Sequence, residues 1–142
     1  MACLALSLVA ETLSTSVHQR WGPESVRNLE IWRDAVALVK ETYALSRAWP
    51  KEEFHGLTAQ ARRAAVSVPV NLAEGIGRGT PAETARFCQI AVGSLYELDT
   101  LLELAGQLGC SQAAAADGVR RNITDLTRRI ATFIRYQRSR RK

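Results

Sequence analysis

Apolar residues recur along the chain at spacings of three and four, the period of a helix face, and they do so in four stretches. In the first, about Leu29 to Ala48, Trp32, Val36, Val39 and Tyr43 share one stripe. Ile31, Leu38 and Leu45 form a second stripe beside it, and Glu30, Arg33, Asp34, Lys40 and Glu41 take the remaining side. Trp49-Pro50 ends this helix, because the residue before proline leaves the α region. The second helix starts between Glu52 and Leu57 and ends near Arg78. Its small residues Ala64, Ala65, Ser67 and Ala73 let neighbours come close. Pro69 predicts a kink, since it removes a backbone hydrogen bond and crowds the preceding turn, at a cost of about 3 kcal/mol in an ordinary helix.

The third stretch opens on Thr80-Pro81-Ala82-Glu83, a capping box with proline at the first helical position. Phe87, Ala91, Ser94, Leu98, Leu101, Ala105 and Leu108 then form a heptad seam, widened by Ile90, Leu95 and Leu102 and stopped by Gly109. The fourth begins around Ser111–Ala113, with Val119, Ile123, Leu126, Ile130 and Phe133 as its seam. No segment alternates with a period of two, so no sheet is expected. The pattern predicts an all-α, antiparallel up-down-up-down four-helix bundle over residues 26–138, its second helix kinked at Pro69. Residues 1–25 read as a loosely ordered extension, broken at Trp21-Gly22-Pro23, and residues 139–142 as a basic tail.

Charge changes this picture at one end. The net charge is +5, but residues 118–142 hold nine arginines and lysines against Asp125 alone, whereas residues 1–117 hold ten basic and thirteen acidic side chains. Arg120, Arg121, Arg128, Arg135 and Arg138 project within about 100° of one another, opposite the apolar seam. With Arg129, Arg140, Arg141 and Lys142 they form the candidate nucleic-acid surface, because guanidinium pairs bidentately with phosphate and stacks on bases. The apolar arc of the first helix is broader than one bundle seam needs. Ile31, Leu38 and Leu45, with Tyr96 and Leu104, are therefore the candidate interface between copies of the chain.

Little else carries chemistry. Three cysteines, Cys3, Cys88 and Cys110, match no metal or disulfide spacing and suit a reducing, cytoplasmic setting. The apolar run Ala2–Ala10 has no preceding positive charge and is too short to span a bilayer, so neither a secretory leader nor a membrane partner is expected. Gly75-Ile76-Gly77-Arg78-Gly79 follows a helix, not a strand, and lacks a P-loop lysine, so it reads as a flexible helix end. Glu74 and Glu97 lack the histidine a carboxylate-bridged metal site needs, His18 and His55 lying elsewhere, and Ser67 and Ser94 lack a base. Arg63, Ser67, Pro69, Asn71, Glu74, Ser94 and Glu97 are read as a structural joint, in which Asn71 and Glu74 bond the backbone freed by Pro69 or reach Arg62, Arg63 or Arg78. No catalytic residue, metal or cofactor is expected.

One set of motifs, in order, resembles a known family: Leu29-Glu30-Ile31-Trp32, Pro50, Gly56-Leu57-Thr58-Ala59-Gln60, the run Arg62 to Gly75 through Val68-Pro69-Val70-Asn71-Leu72-Ala73-Glu74, and Ile90 to Thr100 through Ser94-Leu95-Tyr96-Glu97-Leu98. Across about residues 29–136 the chain is similar to the bacterial four-helix proteins encoded in intervening sequences of large-subunit ribosomal RNA genes, relatives of the accessory variability determinants of diversity-generating retroelements. The resemblance implies a ring-like homopentamer with a positive surface used on nucleic acid. In the retroelement branch it implies work with a reverse transcriptase and its template RNA. This chain is nearer the ribosomal branch, and its last helix departs most, with Ala113–Ala116 and its arginine face in place of mixed charges. The expectation is a non-enzymatic oligomer that binds nucleic acid, RNA by resemblance, or serves as a scaffold. The alternative is an adaptor for an acidic protein such as a reverse transcriptase.

Overall fold

The computed structural model describes residues 22–140, and every regular element among them is helical. They are α1 (Pro23–Arg27), α2 (Glu30–Ser46), a 3-10 turn (Lys51–Glu53), α3 (Leu57–Gly77), α4 (Pro81–Gln107) and α5 (Ala113–Ser139). The four long helices pack as a bundle: α3 lies against α2 and α4, and α5 against α4 and α2, while α1 rests on α2 and α3. None of the described helices is long and apolar enough to cross a membrane. Most of the expected extension, and the tail residues Arg141 and Lys142, lie outside the described residues. Within its described end, Pro23 starts α1 where a break was expected, since proline at the first helical position has no N–H to lose.

The helix ends follow local chemistry. The Glu53 carboxylate accepts from the Leu57 N–H at 3.0 Å, capping α3 across Gly56. Thr80 Oγ1 accepts from the Glu83 N–H at 3.2 Å and opens α4. At the far end of α4, Gly109 takes φ +73°. The Cys110 N–H returns to the Ala105 carbonyl at 2.8 Å and the Gly109 N–H to the Gly106 carbonyl at 3.2 Å, the paired bonds of a Schellman stop. Gly79 ends α3 in the same left-handed region, but there the Thr84 hydroxyl, at 3.0 Å, takes the Gly75 carbonyl.

The core runs along Ile31, Ala35 and Leu38 of α2, Ala61, Ala64, Ala65, Val68 and Leu72 of α3, Cys88, Ala91, Leu95, Leu98 and Leu102 of α4, and Val119, Ile123, Leu126, Ile130 and Ile134 of α5. This reverses the order expected on α2. Ile31 and Leu38 face inward, and Leu38 is 1% exposed, so neither offers a surface to another copy. Ala35, Thr42 and Ser46 complete their stripe, and a count of large apolar residues overlooks them. Thr42 tolerates burial because its hydroxyl donates to the Leu38 carbonyl at 2.8 Å. Ile90 and Leu108, both counted in the seam expected on α4, are exposed instead. On α5, Ile134 is buried and Phe133 only partly so.

Helix α3 continues unbroken across Pro69, which is buried. Small residues set the α3–α4 spacing. A Cβ on Gly75 would lie 2.7 Å from the Phe87 Cβ, closer than carbon atoms approach, and in tight contact with Thr84 backbone at 3.3 Å. Such contact gathers many dispersion interactions at once, which offset the hydrogen bond that Pro69 forgoes.

Candidate functional site

The outer side of α5 carries the candidate surface. Helical rotation divides its arginines into three lines. Arg121, Arg128 and Arg135 are seven residues apart, so each lies within about 20° of the last, opposite the buried Val119, Ile130 and Ile134. All three are exposed. Arg120 and Arg129 sit on the two flanks instead, each facing a neighbouring helix.

On the α4 flank, Arg120 grips Asp99 through two bonds of 2.8 and 3.2 Å and Glu103 through one of 2.6 Å. Asp99, ahead of Glu103, holds the Arg120 guanidinium above its ordinary value against the opposing effect of burial. The Gln107 amide, 2.9 Å away, and then Arg120 draw the Glu103 carboxyl below the usual carboxylate range. On the α2 flank, Arg129 bonds Asp34 and, at 2.8 Å, Glu30. Asn122 donates to Glu41 at 2.8 Å beside it. The expected surface therefore loses two members, because Arg120 and Arg129 spend their charge on carboxylates of this chain. Each acidic pair, Asp99/Glu103 and Glu30/Asp34, is one helical turn apart. That spacing was visible in the sequence, though the rotation that aims it at α5 was not.

The remaining cations are less committed. Arg121 and Arg138 make no side-chain hydrogen bond or ion pair among the described residues, and Arg135 reaches only the Thr132 hydroxyl, at 3.0 Å. Arg128 stands 3.7 Å from Asp125, with both side chains more than two-thirds exposed. Arg140 lies over the Tyr136 ring at 5.7 Å.

The expected joint is built differently from its forecast. Asn71 Nδ2 donates to the Ser67 carbonyl at 2.8 Å and to the Ser67 hydroxyl at 2.9 Å. The Ser67 hydroxyl meets that of Ser94 at 2.8 Å, and the Ser94 hydroxyl donates to the Ile90 carbonyl at 3.2 Å. These three residues tie α3 to α4. The backbone group that Pro69 frees is the Ala65 carbonyl, one turn back, and Asn71 does not reach it. Glu74 pairs with Arg78 at 2.7 Å, one of the partners expected for it. Arg62 donates to the Ser46 hydroxyl at 2.9 Å and stacks on Tyr43. Arg63 and Glu97 are exposed and make no bond to other described side chains. At the glycine-containing end of α3, Arg78 and Arg86 lie over the Phe87 ring at 5.4 and 4.5 Å.

Of the expected interface residues, Tyr96 and Leu104 are exposed, Leu45 is half-buried against the core, and Ile31 and Leu38 are inside it. Val66 and Val70 are exposed apolar residues that no expected seam included, and Ile90 joins them on the outside. The Cys88 thiol is enclosed, and burial pushes its pKa up to about 12. No group of three histidine, cysteine or carboxylate side chains among the described residues is placed to hold a metal ion.

Compared with known families, residues 27–132 match the family described as 23S rRNA-intervening sequence protein. No curated protein matches the chain.

Proposed function

From the premise that the chain belongs to the 23S rRNA-intervening sequence protein family, we propose that it is a non-enzymatic RNA-binding protein that engages phosphates along the outer line of α5. One observation carries this reading. Arg121, Arg128 and Arg135 are exposed at two-turn intervals, while Asp99 and Glu103 of α4 and Glu30 and Asp34 of α2 are directed to Arg120 and Arg129. A solubilising face mixes its signs, whereas this line concentrates one. The family's reference to 23S rRNA favours RNA over DNA. Contacts of this kind are electrostatic and weakly sequence-specific.

The same reading takes the bundle as antiparallel up-down. Arg129 meets Glu30 and Asp34 while Asn122 meets Glu41, so positions climb along α2 as they descend along α5. It also takes the protein as a cytoplasmic homo-oligomer, pentameric by resemblance, with exposed Val70, Ile90 and Leu104 as apolar surface for a neighbouring copy. A ring would repeat the arginine line and raise affinity by multivalency.

The test is titration of labelled RNA with the purified protein at several salt concentrations, alongside mass-resolved chromatography before and after nuclease. The reading expects tight binding at low salt that falls steeply as salt rises. No RNA binding at low ionic strength overturns it, and capture of an acidic protein in its place would favour an adaptor, for example of a reverse transcriptase.

A further inference from the structure

A groove of about 560 Å³ runs between α4 and α5. Tyr96 stands on its α4 side, and Arg121 and Arg128 on its α5 side. Resting on the RNA-binding reading above, we propose that this groove is a subsite for single-stranded RNA, in which an unpaired base stacks on Tyr96 while the flanking phosphates meet Arg121 and Arg128.

Three observations converge on it. Tyr96 is 63% exposed, so its ring is open to a stacking ligand. Its hydroxyl has no partner among the described residues, so no internal bond accounts for its place. The groove also pairs a flat aromatic surface with cations about 10 Å apart along the helix, two turns of α5. Nucleic-acid grooves combine these parts, an aromatic platform for the base and a positive track for the backbone. A duplex keeps its bases paired and stacked, and its deep major groove admits no such ring, so the platform selects single strands.

The acidic groups of the groove sharpen the assignment. Asp99 is neutralised by Arg120 through two hydrogen bonds. Asp117 is the remaining carboxylate in the lining, and it forms no ion pair among the described residues. It stands on the path of a phosphate, so Asp117→Asn should tighten binding.

The experiment measures fluorescence anisotropy of a labelled oligouridylate and of a fully paired RNA duplex of equal phosphate count. It compares the full chain with its Tyr96→Ala, Tyr96→Phe and Asp117→Asn variants. Tyr96→Ala should weaken the single strand roughly five- to a hundredfold, the range a lost base–aromatic stack gives, and disproportionately to the duplex. Tyr96→Phe, which keeps the ring, should retain the preference. Equal loss on both ligands, or no loss on either, overturns the subsite while leaving the arginine line standing. Absence of binding by the unaltered protein overturns both. Chromatography closes the remaining alternative: if Tyr96→Ala lowers the mass of the assembly, Tyr96 belongs to a subunit interface and the subsite is wrong.

Discussion

Helices α3 and α5 meet water in opposite ways. Helix α3 is lined with alanine, glycine and serine, packs close against α4, and carries a buried proline. Helix α5 touches the bundle with one seam of large aliphatic residues, and its flanks are fastened by arginine–carboxylate clasps. The charge that suggests a task sits on the second helix of this pair. The difference separates two kinds of constraint. Close packing tolerates few substitutions because each atom has a fixed neighbour, whereas a charged line requires only its sign and spacing.

That contrast can be broken from either side. The largest effect belongs to the packed helix: Leu72→Ala, at a site with no exposure, should cost about 2–5 kcal/mol in denaturant unfolding. Gly75→Ala should cost about 1–3 kcal/mol by pushing α3 away from Phe87 and Thr84 of α4. A neutral result at Gly75 would show that α3 and α4 can slide apart, and the contrast would lose its basis.

Smaller effects belong to the clasps. The side chains of Arg120 and Arg129 are 38% and 42% exposed, so solvent screens their pairs. Arg120→Gln or Arg129→Gln should cost about 1 kcal/mol or less, and less still in high salt. Glu103, whose pKa is lowered on folding, stabilises the folded state above the ordinary carboxylate pKa. That contribution is lost as pH falls through its depressed value, and an Arg120→Gln background should blunt the loss. Cys88 has the opposite sign. Its thiol is raised to about 12 from 9.0, so the folded state favours the protonated form and loses stability as pH rises across that window. At neutral pH Cys88 should resist a thiol reagent until the protein unfolds, while partly exposed Cys110 reacts first.

The sequence made the ends of α4 and most of the seams of α4 and α5 legible, because capping and periodicity are local. Thr80, Gly109 and the line from Val119 to Ile130 behave as their neighbours in sequence dictate. The inward face of α2 was not legible. Ala35 and Thr42 carry little weight in an apolar count, yet they share the angle of Leu38 and decide which stripe turns inward. The candidate site was half legible for a related reason. Nine basic residues at one end are plain in the sequence, but which of them remain available depends on helices far away in the chain. Glu30 is separated from Arg129 by 99 positions, and only packing brings them together.

On the proposed function, the outer arginines of α5 bind RNA without holding the fold. The direct measurement is the salt dependence of RNA affinity for the unaltered chain and for the triple variant Arg121→Gln, Arg128→Gln, Arg135→Gln. The variant should unfold within about 0.5 kcal/mol of the original, and its log–log salt slope on single-stranded RNA should flatten by about 2, near 0.7 for each phosphate contact removed. An unchanged slope, or a variant that loses its fold along with its binding, would contradict the claim.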